Sequence, residues 1–329
     1  MLKNLDPSRL STHRQPTRVA VLDDYQQVAH RMVDWTRTEH TLEVTFFHDH
    51  IQDESLLLDR LRDFDVVVVM RERTPLPEKL LVRLPRLKLI VTTGMHNSTL
   101  GTSPGVLITG TAALSTPTVE MTWALILGLS RNLGREEAAL RRGEWQETIG
   151  TGLSGATLGI LGLGKIGSRV AEVGRAFGMN VLAWSQNLTS DAAHSAGATR
   201  VSKADLFARS DFLSVHLRLS PRSVNIIGTS ELRSMKASAR IINTSRAGLI
   251  DPEALREALT NGWIAGAGLD VFDQEPIGPD HPILDLPNTL LTPHLGYVVE
   301  QNYKVFFEDA LDDIDAFLQG TPVRVLNPS

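Results

Sequence analysis

The sequence predicts a doubly wound α/β fold with two parallel sheets. Two series of short, continuously apolar segments alternate with helix-like segments along the 329 residues. Such runs are typical of strands that helices cover on both faces. A glycine-rich turn also separates a strand from a helix near the middle of the chain. The length exceeds what one compact core usually needs, so we expect two domains.

The first series begins with a predicted strand over 18–23, whose sequence is RVAVLD. Further strands are predicted at 42–47, 66–70, 87–92 and 105–109. Helices are expected between them, near 26–35, 53–62 and 77–84. A long helix over 116–133 follows, with Thr116 as its N-cap and Pro117 at its first helical position. A second helix is expected over 135–142.

The second series has predicted strands at 157–161, 180–184, 212–215, 240–243, 265–269 and 289–291. Its clearest helices are expected over 165–177 and 252–261. A last helix, about 298–318, is amphipathic and lies far from the first series in sequence. Because the first series needs another element to complete it, we expect this helix to cross back. The predicted domains are therefore 1–112 with 298–329, and 113–297.

Composition and charge exclude several classes of protein. The net charge of −5 gives no sign of a nucleic-acid partner. The absence of cysteine excludes disulfides, thiolate metal sites and a cysteine nucleophile. Residues 1–17 are polar and lack the apolar stretch of a signal peptide, so we expect a loose tail. No run of about 18 apolar residues occurs, and we expect a cytoplasmic protein without a membrane partner.

The glycine-rich turn reads Gly162-x-Gly164-x-x-Gly167 and joins the strand 157–161 to a predicted helix. Gly162 allows the tight turn, Gly164 lets the backbone approach a pyrophosphate, and Gly167 lets the helix pack on the strand. The amino end of the helix, with Lys165 and Ile166, then faces the phosphates with its N–H groups and positive dipole end. This context predicts a dinucleotide-binding domain. A purely structural glycine turn is the alternative.

The segment after the strand 180–184 bears on the choice of dinucleotide. NAD sites usually place an Asp or Glu there, which binds the ribose 2′-hydroxyl. This chain has Ser185, Gln186 and Asn187, so no carboxylate repels a 2′-phosphate and no arginine attracts one. All three side chains could hydrogen-bond either cofactor. We therefore expect NAD or NADP, with NADP slightly favoured.

Three further segments resemble the signatures of a known family. They are 242–248 (INTSRAG), 268–276 (GLDVFDQEP) and 291–296 (LTPHLG). With the glycine turn, they make nearly the whole chain resemble the D-isomer-specific 2-hydroxyacid dehydrogenases, which include phosphoglycerate, glyoxylate/hydroxypyruvate and D-lactate dehydrogenases. The resemblance implies an NAD(P)-dependent oxidoreductase with two Rossmann-like doubly wound parallel-sheet domains, the first flavodoxin-like and discontinuous. It also implies a homodimer, for which Trp123 and 125–129 offer apolar surface, although core packing explains them equally well.

The resemblance assigns the chemistry to three residues. Oxidation of a 2-hydroxy acid removes a proton from oxygen and a hydride from carbon, and nicotinamide accepts the hydride. The proton requires a base with a pKa near the working pH, which suits His294. By resemblance, Glu275 orients that imidazole and Arg246 binds the substrate carboxylate through two hydrogen bonds. Taken singly, each of these residues would be interpreted as an ordinary loop residue. Their catalytic roles are supported by the occurrence of all three within the family signatures.

Other residues are expected beside the cofactor. By resemblance, His216 is a wall of the cofactor site rather than an acid, and Thr244 and Ser245 lie next to the cofactor. Asp270 is expected to face its nicotinamide end. Tyr297 stands where smaller residues are common in the family and could narrow the substrate site.

The first domain contains a segment, 92–97 (TTGMHN), that matches the substrate loop of the family. Backbone N–H groups around Gly94 and Met95 would hold the substrate carboxylate. Arg71 and Arg73 follow another predicted strand end, and two arginines there could favour an acidic or phosphorylated substrate. A solvent-facing charged loop is the alternative for these arginines.

The remaining histidines give a weaker signal. His96 could lie near the substrate loop, and the others are expected at the surface: His13, His30, His40, His48, His50, His194 and His281. The sequence His48-Asp49-His50 suggests a metal site, but alternation in an extended segment would put Asp49 on the opposite face. We therefore expect no metal.

The leading function is hydride transfer between NAD(P) and a small 2-hydroxy or 2-keto acid. Formate dehydrogenases of the same superfamily have glutamine where Glu275 stands, which argues against formate. Two alternatives remain open from the sequence. One is a dinucleotide-sensing scaffold without turnover, like the corepressors related to this family, and the other is a dehydrogenase of another substrate such as phosphite.

Overall fold

The computed structural model describes residues 15–327, so most of the expected loose tail, including His13, lies outside the described residues. The chain forms two compact units. One contains the residues up to Ala113 together with the segment from Glu300, and the other is Leu114–Val299. Each is built on a parallel sheet, which confirms the predicted fold class.

Strands and helices alternate along the chain. In chain order they are β1 (Thr17–Val21), α1 (Ala29–Met32), β2 (Leu42–Phe46), α2 (Glu54–Leu61), β3 (Val66–Val69), α3 (Glu78–Leu81), β4 (Leu89–Thr92), β5 (Leu107–Gly110), α4 (Thr116–Ser130), α5 (Leu133–Arg141), β6 (Thr157–Leu161), α6 (Lys165–Ala176), β7 (Asn180–Trp184), α7 (Ser190–Ser195), β8 (Thr199–Arg200), α8 (Lys203–Arg209), β9 (Phe212–Val215), α9 (Thr229–Ser234), β10 (Arg240–Asn243), α10 (Pro252–Thr260), β11 (Gly266–Leu269), β12 (Thr289–Leu291) and α11 (Glu300–Leu318). Short 3₁₀ helices cover Ala247–Leu249 and Pro282–Asp285.

The sheet of the first unit has the parallel order β2-β1-β3-β4-β5. This is the flavodoxin-like order. Strands such as β3, which consists of four valines, are buried along their whole length, as a sheet covered on both faces requires. The last helix, α11, returns to this unit and packs on β4 and β5. Phe306, Phe307 and Ile314 on that helix have no exposed surface.

The sheet of the second unit has the parallel order β12-β11-β10-β9-β6-β7-β8. The order reverses between β6 and β9, and ligands of such sheets bind outside the carboxyl ends of the strands at this reversal. Strand β8 was not expected from the sequence, because it has only two residues and both are exposed.

Two details of α4 differ from the prediction. Thr116 is the first residue of the helix rather than its N-cap, and Ser115 holds the capping position without a side-chain bond. The Thr116 hydroxyl instead accepts a hydrogen bond from Arg169, and Pro117 is the second helical residue. Trp123 is buried in the core of the unit, as are Leu125 and Ile126. Core packing therefore explains the apolar residues of α4.

No helix within residues 15–327 is both long enough and apolar enough to cross a membrane.

Candidate active site

The glycine turn leaves β6 and enters α6, as expected. Gly162 has φ +103°, and a Cβ there would lie 2.7 Å from the carbonyl carbon of His216. A Cβ on Gly167 would lie 2.2 Å from the Gly162 oxygen, so these two glycines are required by the packing of the chain itself. A Cβ on Gly164 would meet nothing within 4 Å. The open space beside Gly164 fits the approach of a ligand.

The amino end of α6 points toward that open space. The first N–H inside the helical ladder is that of Ser168, which donates to Gly164 at 2.9 Å. The N–H groups of Lys165, Ile166 and Gly167 precede it and belong to the unbonded first turn of the helix. Such an end binds phosphate oxygens through its N–H groups and the helix dipole.

His216 closes the other side of the turn. Its Nε2 lies 2.7 Å from the Ser214 hydroxyl, and its buried Nδ1 has no hydrogen-bond partner among the described residues. Burial lowers the pKa of His216 to about 4, so the imidazole is neutral near pH 7. A neutral ring agrees with a wall rather than an acid. Its buried Nδ1 has no accessible surface and is therefore out of reach of a bound dinucleotide.

The segment after β7 forms a turn in which the Leu188 N–H donates to the Ser185 oxygen at 3.1 Å. Ser185 is half-buried, and Gln186 and Asn187 are exposed. The three side chains stand at the carboxyl end of a strand next to β6. They are therefore placed to meet the ribose of a dinucleotide whose phosphates lie at the glycine turn.

Three neighbouring strands supply the candidate catalytic side chains. Arg246 follows β10, Glu275 follows β11 and His294 follows β12. Because these strands are parallel and adjacent in the sheet, their carboxyl ends lie along one edge. The glycine turn after β6 and His216 after β9 lie on the same edge, which is where open parallel sheets bind ligands.

His294 and Glu275 form a close pair. Nδ1 of His294 lies 2.6 Å from Oε2 of Glu275, and Oε1 of Glu275 accepts the Phe272 N–H at 2.9 Å. Since an ionised carboxylate only accepts, Nδ1 is the donor of this bond. The ring packs edge-on against buried Tyr297, with ring centroids 5.1 Å apart. His294 has φ +53°, an uncommon conformation for a residue with a side chain and one enriched at functional sites.

Asp270 organises the loop that carries His294. Its buried carboxylate accepts hydrogen bonds from the Thr292 hydroxyl at 2.6 Å and from the N–H groups of Leu295 and Gly296, both at 2.7 Å. Burial is the main cause that raises the pKa of Asp270, and these bonds oppose it. The carboxylate is thus turned onto the His294 loop, which the sequence did not indicate. Contact of Asp270 with the nicotinamide end stays a prediction.

The loop after β10 is held by its own hydrogen bonds. Asn243, which sequence reasoning did not single out, accepts from the Ser245 N–H and donates to the Arg246 oxygen. The Ser245 hydroxyl donates to a backbone oxygen of β9, and Arg246 Nη1 donates to the Ser245 oxygen at 2.7 Å. The Thr244 hydroxyl is buried against Thr122 at 2.8 Å. Both expected cofactor-contacting hydroxyls are therefore already bonded within the protein.

In the first unit, Arg71 and Gly94 lie side by side at the ends of β3 and β4. Arg71 Nη1 would be 2.5 Å from a Cβ on Gly94, and both residues have positive φ, +54° and +93°. The Gly94 N–H, however, donates to the Thr111 hydroxyl at 2.8 Å. The Gly94 N–H is thus already bonded within the protein, and the role of this loop in substrate binding stays a prediction. Met95 and His96 are exposed.

Arg73 is not turned to solvent, which contradicts the alternative of a solvent-facing charged loop at this position. It is 8% exposed, and Nη1 donates to the Asp23 backbone oxygen at 3.0 Å. Its guanidinium also lies 4.5 Å from the centroid of the Tyr25 ring. Burial of a charge requires such partners, and the bond to Asp23 ties the loop that carries Arg71 to the segment after β1.

His50 was expected at the surface, and this is wrong. Its imidazole is 8% exposed and Nδ1 lies 2.9 Å from Oδ1 of Asp23. Asp49 is instead bonded through both oxygens to Arg60. His40 and His281 are half-buried, and His30, His48 and His194 are exposed. Within residues 15–327, no group of three or more His, Asp and Glu side chains is arranged to hold a metal ion.

Comparison with known proteins agrees with this architecture. Residues 123–296 match the family model described as "D-isomer specific 2-hydroxyacid dehydrogenase, NAD binding domain". A glyoxylate reductase of Aeropyrum pernix is 38% identical over 263 residues, which cover 75% of this chain and 78% of that protein. A D-3-phosphoglycerate dehydrogenase of Methanocaldococcus jannaschii is 36% identical over 80% of this chain, but the match spans 52% of its own length.

Solved structures give the same result. The crystal structure of a phosphoglycerate oxidoreductase from Vibrio cholerae superposes with a TM-score of 0.88 at 37% identity and covers 92% of this chain and 99% of its own. The fold, the glycine turn and the comparisons define an NAD(P)-dependent oxidoreductase. The chain belongs to the D-isomer specific 2-hydroxyacid dehydrogenase family.

Proposed function

We propose that the protein interconverts a small D-2-hydroxy acid and its 2-keto acid, with His294 as the acid/base, Glu275 as its partner and Arg246 as the carboxylate-binding residue. The observation that carries this proposal is the 2.6 Å contact between His294 Nδ1 and Glu275 Oε2. NAD(P), when bound, supplies or accepts the hydride at C2 of the substrate. Side chains of the protein itself transfer the proton and bind the substrate carboxylate.

His294 moves the proton. Because Nδ1 is bonded to Glu275, Nε2 is the nitrogen left to exchange a proton with the 2-oxygen of the substrate. In reduction, Nε2 gives its proton to that oxygen, and in oxidation it takes the proton back. Glu275 stabilises the charged imidazolium through the Nδ1 bond and fixes the ring orientation, as an orienting carboxylate does in other enzymes.

Arg246 recognises the acid. A guanidinium binds a carboxylate through two parallel N–H bonds, which fixes its orientation as well as its position. Its backbone is held by Asn243 at 2.9 Å, which supports a fixed position for the guanidinium. In the first unit, Arg71 and the loop that contains buried Gly94 and exposed Met95 are the proposed substrate contacts.

The dinucleotide would be held by the amino end of α6 and by the open space at Gly164, with His216 as a wall of the cofactor site. We propose a slight preference for NADP over NAD, supported by Ser185, Gln186 and Asn187 in place of an acidic residue. Contacts of Thr244, Ser245 and Asp270 with the cofactor, and a cytoplasmic location, stay predictions.

We also propose a homodimer, formed through α5 and the segment after it rather than through α4. Four large apolar side chains are exposed within 133–149: Leu133, Leu140, Trp145 and Ile149. Trp145 is 76% exposed and Ile149 96%. We infer that these side chains form one apolar surface, of the kind that marks protein interfaces. Sedimentation of the Trp145→Lys Ile149→Asp double variant tests this: we expect monomers, and an unchanged dimer would refute the assignment.

The central experiment is a panel of 2-keto acids, assayed with NADH and with NADPH through the absorbance of the reduced cofactor. We expect steady turnover with at least one acid and its loss in His294→Ala. His281→Ala is the matched control, because His281 also pairs with a carboxylate, Asp273, at 3.2 Å. Cofactor binding without turnover across the panel would overturn the proposal and favour a sensing scaffold.

A further inference from the structure

A network of hydrogen bonds joins the carboxyl ends of three neighbouring strands in the first unit. His50 follows β2, Asp23 follows β1 and Thr74 follows β3, and these strands lie side by side. Oδ1 of Asp23 bonds His50 Nδ1 at 2.9 Å, and Oδ2 accepts from the Thr74 hydroxyl at 2.7 Å. One carboxylate thus ties three strand ends together.

This network belongs to the interior of the unit rather than to a solvated surface. Asp23 is 1% exposed, so its carboxylate requires partners that offset the loss of hydration. Its backbone has φ +58°, a left-handed conformation that surrounding structure must enforce in a non-glycine residue. Tyr25 adds only a long contact to Oδ1 at 3.5 Å. His50 and Thr74 are therefore the close side-chain partners of Asp23.

The network ends on the loop that presents Arg71. Thr74 lies in that loop, and Arg73 from the same loop donates to the Asp23 backbone oxygen at 3.0 Å. The Asp23 residue therefore holds the loop at two points, one through its side chain and one through its main chain. Both points follow Arg71 closely in sequence.

The opposite side of Arg71 is fixed by the end of β4. The Arg71 N–H donates to the Thr93 hydroxyl at 2.9 Å, and the Asn97 amide donates to the Arg71 oxygen at 2.6 Å. Arg71 itself has φ +54°, so its backbone is in a conformation that it would not keep without restraint. Release of the restraint on the Asp23 side would let the Arg71 side chain leave its place beside Gly94.

We propose that the buried His50–Asp23 pair is a positioning element for substrate recognition, which fixes the loop 70–74 so that Arg71 meets the anionic part of the substrate. This inference rests on the proposed role of Arg71 in substrate binding. His50 and Asp23 do not touch the substrate and act only through Arg71. Loss of the pair therefore raises KM for the keto acid, while kcat and the affinity for the dinucleotide change little.

The test uses two substitutions of His50 in the full chain. His50→Phe keeps a ring but removes the N–H donor, whereas His50→Asn places an amide N–H where Nδ1 stands. We expect His50→Phe to raise KM for the best keto acid of the panel about tenfold, since a hydrogen bond to a buried charge is lost. His50→Asn is expected to restore KM to within about twofold. His48→Phe, at an exposed neighbour, is the matched control and is expected to leave KM unchanged.

A double-mutant cycle with Arg71→Ala separates this inference from the proposed function. Arg71→Ala is expected to raise KM, and His50→Phe in that background is expected to add less than about twofold, because both changes act on one contact. If Arg71→Ala raises KM but His50→Phe in the otherwise unchanged protein does not, the inference is overturned and the proposed substrate role of Arg71 stands. An undiminished effect of His50→Phe in the Arg71→Ala background would also overturn it. An unchanged KM in Arg71→Ala would instead refute the substrate role of Arg71, and the inference would fall with it.

Discussion

Replacing Asp313 with asparagine is expected to stabilise the first unit at neutral and alkaline pH. Asp313 lies on α11 with no exposed surface, and Arg324 donates to its Oδ1 at 2.9 Å. Burial raises the pKa of Asp313 from 3.8 to about 6, although Arg324 acts in the opposite direction. Asparagine keeps an oxygen for Arg324 but carries no charge that burial penalises.

The magnitude follows from the two pKa values. A rise from 3.8 to about 6 corresponds to about 3 kcal/mol between the protonated and ionised forms. Because the pKa of Asp313 is higher in the folded chain, this stability is fully present below pH 3.8 and is lost as the pH rises through about 6. About 2 kcal/mol of the loss falls between about pH 4.5 and pH 8. Asp313→Asn removes this part of the pH dependence.

The assay is urea unfolding at about pH 4.5 and pH 8. Unfolding of the first unit is monitored through hydrogen exchange of peptides from residues 300–327. The free energy of unfolding of Asp313→Asn, relative to that of the parent protein, should be about 2 kcal/mol higher at pH 8 than at pH 4.5. Asp312→Asn is the control, since Asp312 is an exposed neighbour paired with Arg37, and surface pairs contribute about 0–1 kcal/mol. An equal difference at both pH values, or a less stable Asp313→Asn at high pH, would refute the reasoning.

Predictions for four further variants concern the second unit. Arg246→Ala should lower kcat/KM at least about a hundredfold, since charge-assisted bonds to the substrate are lost. Calorimetry should show a nearly unchanged affinity for the cofactor, and an equal loss of kcat/KM and of cofactor affinity would contradict the role of Arg246. Ser185→Asp should shift the NADP/NAD ratio of kcat/KM toward NAD by at least about tenfold through repulsion of the 2′-phosphate, and an unchanged ratio would show that Ser185 does not face the ribose. Gly162→Ala should lower the free energy of unfolding by about 1–2 kcal/mol or more, because φ is +103° and the Cβ meets His216. Gly164→Ala should leave stability unchanged in the same urea titration and weaken dinucleotide binding, and similar losses of stability in both variants would contradict this distinction.

The fold was predictable because its strands are local features of the sequence. Apolar runs such as 157–161 and 212–215 have the same bounds in the structure. Helix α1 is an element whose length the local sequence did not predict. A helix over 26–35 was expected, but the structure has the shorter helix Ala29–Met32. The Asp24 carboxylate accepts from the N–H groups of Val28 and Ala29, and Gln27 has φ +54°, so the helix cannot begin earlier.

The candidate site was predictable as a set of residues but not as a set of contacts. The family pattern names His294 and Glu275, and the structure places their side chains together. The sequence could not show that Asp270 bonds the His294 loop or that Asp23 bonds a buried His50 side chain, because these partners are distant in sequence. The acidic pair Asp23-Asp24, separated from the end of β1 by one residue, was the available signal for the Asp23 network, since carboxylates at such a strand end need partners when buried.

The path of α11 has a consequence for synthesis on the ribosome. The first unit needs Phe306 and Phe307 to cover its sheet, yet these residues are made only after the whole segment Leu114–Val299. At roughly 5–20 residues per second, that delay is about 10–40 seconds. The second unit can therefore fold while the nascent first unit still exposes the apolar face that α11 will cover. During this interval the emerging chain exposes apolar surface of the kind that favours aggregation.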